Sequence, residues 1–346
     1  MSASTAQQRR HHKILTDVVR TYIETGEPVS SRSIARVHEE TLSPATIRNV
    51  MADLEGEGFL FQPHTSAGRV PTASAYRFFV EQISSHATVR PEDRDWIRKE
   101  LANASTPEAV MERASHVLAA VSRGVGIIIS PPLARTVVEH LKFVLLPEGR
   151  VLVVLVASGG MTRDKVVRPE RTFRQEDLDR ISAHLNAHYS GWTLEAMRGE
   201  LETQLANDRE KYDRLVGGAL ELCDPAILGD DGTRQVYVDG AAEFATLVFS
   251  NQEQLRELLS TIEERGRLIA LLDGCIEGPE PVHVELGVKQ ITDAGKHLAL
   301  VSAPYMQNDQ VQGALGILGP MRMHYERVIT AVAFMAELFS TNSLES

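Results

Sequence analysis

With 346 residues, 43% of them hydrophobic and 24% charged, the chain is long enough for more than one folded unit and has the make-up of a globular protein. Its net charge of −11, from 36 Lys and Arg against 47 Asp and Glu, excludes a chain that coats nucleic acid indiscriminately. No apolar run reaches the length of a membrane span, the basic start MSASTAQQRRHHK has no apolar stretch behind it, and Cys223 and Cys275 give no disulfide framework, so a cytoplasmic, reducing location without membrane contact is expected.

The charge is unevenly spread. Residues 1–72 hold eight Lys or Arg and eight Asp or Glu, so the acidic excess lies wholly after them. A neutral head leaves room for a local basic surface. Ile14, Leu15, Val18, Val19, Tyr22 and Ile23 recur at helical spacing and predict a first helix over 7–25, stopped by TGEP. Ser30 or Ser31 caps a second helix with Ile34 and Val37 inward. In TLSPATIRNVMADLEGEG, Ser43 is a good N-cap because its hydroxyl can accept from an orphan backbone N–H, and Pro44 suits the first helical position. Ile47, Val50, Met51 and Leu54 form the buried stripe, and Gly56 and Gly58 end the helix. FLFQP then predicts a strand, HTSAGR a loop turned by Gly68, and VPTASAYRFF a return strand or helix.

Three short helices and a β-loop of this length predict a winged helix-turn-helix, whose third helix enters the DNA major groove. At about 100° per residue, Ala45, Arg48, Asn49 and Ala52 point away from the buried stripe. Arg and Asn bond guanine and adenine edges bidentately, and small Ala45 and Ala52 permit close approach. The helix start at Ser43, Ala45 and Thr46 suits a phosphate, and the wing offers His64, Thr65, Ser66 and Arg69 for backbone or minor-groove contacts. An Arg–Asn pair alone could be an ordinary solvated face. The conjunction of cap, proline, polar outer face, terminal glycines and basic wing favours DNA.

LSPATIRNVMADLEGEGFLFQPHTSAGRVPTASAYRFFV resembles the N-terminal signature of the heat-inducible transcription repressor family, HrcA. ILTDVVRTYIETGEPVSSRSIA resembles that family's first two helices, and GALGILGPMRMHYERVI, from Gly313 to Ile329, its C-terminal signature. The resemblance implies a GAF-like domain with an inserted dimerisation domain. It further implies a homodimer on an inverted-repeat operator upstream of chaperonin and chaperone genes. A GroEL-type chaperonin would help the repressor reach its active fold, and heat would draw that chaperonin away to other clients.

After the head, a helix over 76–83 and two more in PEDRDWIRKELANASTPEAVMERASHVLAAVS form a linker over 76–120. GVGIIIS, HLKFVLLPEGRVLVVLVAS and KVVRPE are apolar and β-branched, with PEGR as a hairpin turn. FRQEDLDRISAHLNAHY opens a helical stretch to Cys223, in which Leu194, Met197, Leu201, Leu205, Tyr212 and Leu215 form one stripe. That stripe either packs on its own sheet or meets a second subunit. QVYV, RLIALLDG, VHVELG, HLALVSAPY and GALGILGP predict further strands, and Met321–Phe339 a closing helix. The expected fold class is therefore α+β: a winged head over 1–75, a GAF-like α/β domain over 121–170 and 226–340, and an inserted helical dimerisation segment over 171–225.

Nothing predicts an enzyme, a cofactor or a metal. GALGILGP makes no phosphate loop. His184 and His188 stand four apart but enclose no Glu of the HExxH type, His11 and His12 are adjacent, and ASGGM is no nucleophile elbow. Two rivals remain: a regulator whose GAF-like body senses a small molecule, and a winged helix that binds only other proteins.

Overall fold

The computed structural model describes residues 3–37, 42–65, 67–84, 88–102, 104, 106–130, 135–157, 162–207, 209–224, 234–248, 256, 259–260, 262, 264–276, 280–288, 295, 297–307 and 310–341. It is a mixed α/β chain with three sheets. The head comprises α1 (Ala3–Thr25), α2 (Ser31–Val37), α3 (Pro44–Gly56), β1 (Leu60–Phe61) and β2 (Val70–Pro71). The two strands are antiparallel, with Leu60 opposite Pro71 and Phe61 opposite Val70. Three helices follow: α4 (Ala73–Ser84), α5 (Pro91–Leu101) and α6 (Pro107–Ser122).

The five-stranded sheet contains β3 (Val125–Ile129), β7 (Val236–Asp239), β8 (His283–Leu286), β9 (Leu298–Gln307) and β10 (Gln310–Pro320), in the order β7-β3-β10-β9-β8. Every pairing is antiparallel. Both faces are covered, which explains the unbroken apolar runs. Ile128, Val301, Leu315 and Ile317 face α6 and the closing helix, α12 (Tyr325–Ser340). Their neighbours Ile127, Leu300 and Leu318 face α11 (Arg265–Ile276) and Phe244 of α10 (Ala241–Val248). The period-2 alternation of strands sorts these residues between two cores.

Here the sequence-based partition meets a difference. The hairpin was expected to belong with the strand-rich domain over 121–170. Instead β4 (Val138–Leu145), β5 (Val151–Ala157) and β6 (Thr162–Val167) form their own sheet in the order β4-β5-β6. Its buried face takes Leu141, Phe143, Val153 and Leu155. Against it pack α7 (Gln175–Tyr189), α8 (Leu194–Asn207) and α9 (Arg209–Leu222) through Leu178, Ile181, Met197, Leu201 and Val216. The segment between β3 and β7 is therefore a sheet with its helices, larger than the helical 171–225 expected. The alternating pattern of β5 shows that one face needs cover, but does not say which helices supply it. Leu194, Met197 and Leu201 of the expected stripe are buried within this unit and Leu205 packs against it; the side chains of Tyr212 and Leu215 lie outside the described residues.

RLIALLDG is also corrected. It lies in α11, not a strand: Leu268, Leu271 and Leu272 are buried at the i, i+3, i+4 spacing of a helix face. The closing helix starts at Tyr325, four residues later than predicted from Met321. Cys223 is fully buried, and that burial pushes its thiol up to about 12, so it packs as a small hydrophobe. No helix of the described residues is long and apolar enough to cross a membrane.

Candidate nucleic-acid interface

The start of α3 follows from its residue chemistry. Ser43 is extended, at φ −68° and ψ 147°, and its Oγ accepts from Thr46 N at 3.1 Å. Thr46 Oγ1 lies 2.9 Å from the same Oγ, so this half-buried hydroxyl belongs to the cap. Pro44 occupies the first turn, where its missing N–H costs nothing. Ser30 performs the same service for α2, accepting from Ser33 N at 3.1 Å. The end of α3 is closed by Glu57 N to Asp53 O at 2.9 Å and Phe59 N to Leu54 O at 2.9 Å, with Gly58 at φ +81°.

Ile47, Val50, Met51 and Leu54 are buried. Ala45, Arg48, Asn49 and Ala52 are exposed, and Arg48 makes no ion pair among the described residues. The face expected to read bases is thus presented to solvent. Asp53 lies one turn beyond Asn49, and His11 Nε2 stands 3.8 Å from its Oδ2. This contact brings the first turns of α1 to the same end of α3, together with exposed Arg9 and Arg10. The sequence reading gave those two arginines no role. The signal was present in RRHHK, directly ahead of the apolar period of α1.

The loop between β1 and β2 is pinned at its base. Gln62 Nε2 donates to Thr65 O at 3.0 Å and to Ala67 O at 2.8 Å. Val29 and Arg69 exchange two backbone bonds, of 2.9 and 2.8 Å. Gly68 lies so close to the Pro28 and Val29 carbonyls that a Cβ would overlap both. His64 and Thr65 are exposed at the tip, and Ser66 lies outside the described residues. Arg69 turns inward instead of outward: its Nε stands 2.8 Å from Glu55 Oε2 on α3. Wing and recognition helix are therefore joined by a charge pair that no spacing rule could have shown.

Elsewhere, His184 and His188 stack with ring centroids 4.5 Å apart, and His188 Nδ1 lies 2.9 Å from His184 O. Burial first, and the neighbouring His188 second, pull the His184 pKa down, which favours a neutral, packed ring. Among the described residues no three His, Cys, Asp or Glu are grouped to hold a metal ion.

Comparison with known proteins extends beyond this interface. One solved structure, described only as a hypothetical protein, superposes with a TM-score of 0.62 at 22% identity, covering 96% of this chain and 97% of its own, and so shares the fold. Residues 108–329 match the family described as HrcA protein C terminal domain. A heat-inducible transcription repressor HrcA of Geobacter sulfurreducens is 36% identical over 96% of both chains. Proteins of the same name from Syntrophobacter fumaroxidans, covering 96% of each chain, and Xylella fastidiosa, covering 98% of this chain and 97% of its own, are each 33% identical. Because this likeness runs through the helix-and-ribbon head and both larger sheets alike, the chain belongs to the HrcA family.

Proposed function

We propose that the chain is a transcription repressor that reads DNA with a winged helix-turn-helix head. The observation that carries this is the capped α3, whose Arg48 and Asn49 stand exposed between Ala45 and Ala52 and opposite the buried stripe. In this reading Arg48 and Asn49 contact base edges, and the helix start at Ser43, Ala45 and Thr46 faces a phosphate. His64, Thr65 and Ser66 at the wing tip meet the backbone, Arg69 braces the wing, and Arg9 and Arg10 add phosphate contacts. The names carried by the relatives support repression under control of heat. The five-stranded unit would be the GAF-like body, and a homodimer would match an inverted-repeat operator, since one recognition helix reads only a few base pairs.

The test is to pass genomic fragments over the purified protein and footprint what is retained. An inverted repeat ahead of chaperonin or chaperone genes is expected, and loss of retention with Arg48→Ala would tie it to α3. Retention without sequence preference overturns the reading.

The proposed control is a supply of active protein set by a GroEL-type chaperonin. It is supported by the topology. Val125–Ile129 pairs with Ala314–Leu318 across most of the chain, and β7 joins β3 only after the whole second sheet has been made. Non-local pairing closes long loops before contacts form, so folding is slow and exposed to aggregation. Chaperonin with ATP should raise the yield of DNA-binding protein refolded from denaturant; unassisted quantitative refolding overturns this control. A ligand-sensing body draws no support from the five-stranded sheet, whose two faces are filled by side chains of its own helices.

A further inference from the structure

The C-terminal signature takes no part in the DNA interface, yet the structure gives its second half a place. Residues 321–327 join β10 to α12 and lie against the head. They are fixed to the body by Met321 N donating to His297 O at 2.9 Å, Tyr325 OH donating to Met321 O at 2.8 Å, and buried Met323. Toward the head, Glu326 Oε1 accepts from Arg20 Nη2 at 2.7 Å. The Arg322 guanidinium packs on Gly26, the φ +74° residue that ends α1, where a Cβ would collide with it. The Tyr325 ring lies 6.1 Å from that of Tyr76 on α4. Burial pushes both hydroxyls up, so this contact stays uncharged. On the far side Arg327 donates to Asp93 Oδ1 of α5 through Nη2 at 2.8 Å and Nε at 3.2 Å.

Beside these contacts runs a polar cleft with two lobes of about 320 and 400 Å³. Arg20, Arg90 and Arg327 line it, and so do Glu24, Asp93 and Glu326. Three cations against three anions leave no excess to recruit a charged ligand. The charges are better matched to one another across the gap, as a contact that holds two bodies in one setting.

We infer that residues 321–327 are a positioning clasp. They fix the angle between head and body, and so the separation and facing of the two α3 helices in a dimer. This rests on the proposed dimeric, DNA-reading function. Without the clasp each head still reads its half-site, but the pair no longer demands one spacing.

The test uses the full chain and the DNA it selects from a random pool, with the spacer between half-sites changed by one to five base pairs. Five base pairs turn one half-site to the opposite face of the duplex, at about 10–10.5 base pairs per turn. Wild-type protein should lose at least about tenfold in affinity at five base pairs, because tethering no longer supplies the second contact. Glu326→Arg adds a fourth cation to the cleft and should flatten the profile to within about threefold, with single half-site affinity unchanged. The charge swap, Arg20→Glu with Glu326→Arg, should restore the wild-type profile. Both positions are half exposed, so the chain should still fold. A sharp wild-type profile that survives Glu326→Arg, even with a lower melting temperature, overturns the clasp and leaves the dimer standing. A flat wild-type profile overturns the clasp together with the dimer.

Discussion

Replacing Arg69 by Ala distinguishes a brace from a DNA contact. Its Nε stands 2.8 Å from Glu55 Oε2, and the two side chains are 17% and 35% exposed. A pair shielded to this degree contributes more than the roughly 0–1 kcal/mol of an exposed one, while Glu55 alone can still hydrate in part. The cost should therefore be about 1–2 kcal/mol, or a fall in melting temperature of roughly 2–4 °C. Each phosphate contact adds about 0.9 to the slope of log affinity against log salt. An Arg69 spent on Glu55 should leave that slope within about 0.3 of wild type. Glu55→Gln is the matched control: it should lower the melting temperature similarly, since it breaks the same pair from the other side. Fluorescence anisotropy on the selected operator, from about 50 to 200 mM salt, measures the slope beside a thermal scan. A slope that falls by about 0.9 in Arg69→Ala, with an unchanged melting temperature, would refute the brace.

Arg48→Ala and Asn49→Ala should each cost about 1–3 kcal/mol of operator affinity and relax specificity, with circular dichroism unchanged; wild-type binding by both would remove α3 as the reading face. Arg9→Ala combined with Arg10→Ala should weaken binding to all sequences alike and lower the salt slope by roughly two, which competition with random DNA can check. Gly68→Ala forces a Cβ onto the Pro28 and Val29 carbonyls, so the wing should lift and both operator affinity and melting temperature should fall. Unchanged values for Gly68→Ala would mean that the wing base tolerates movement.

Legibility in the sequence followed the range of the interactions involved. The cap of α3 needs only Ser43, Pro44 and Thr46, so it could be read locally, and so could the buried stripe. The hairpin turn was equally local: Glu148 and Gly149 take φ +64° and +71° between β4 and β5. The partnership of that hairpin was not legible, because β5 shows one face in need of cover without naming the cover. Nor was the helical state of α11, whose short apolar run suits either element until Leu268, Leu271 and Leu272 meet their sheet. The inward turn of Arg69 depends on Glu55, fourteen positions away on another element. The resemblance brought the two ends of the chain to notice, but not their contact: Arg20 and Glu326 lie 306 residues apart.

That contact and the Arg69 pair together bound how strongly salt can act on binding. Of the eight cations in the first 72 residues, Arg20 is held by Glu326 and Arg69 by Glu55. Arg9, Arg10, Arg32, Arg36 and Arg48 are exposed, whereas Lys13 is only partly so. If Arg48 reads a base, four exposed arginines per head remain for phosphates, and at most eight for a dimer. At about 0.9 per contact, the salt slope of the full-length protein on its operator should be no steeper than roughly −7. The acidic remainder of the chain acts in the same direction, since its field repels the duplex and leaves attraction to the head. A slope clearly steeper than this would mean that cations beyond Thr72 also reach DNA, and that the head is not the whole interface.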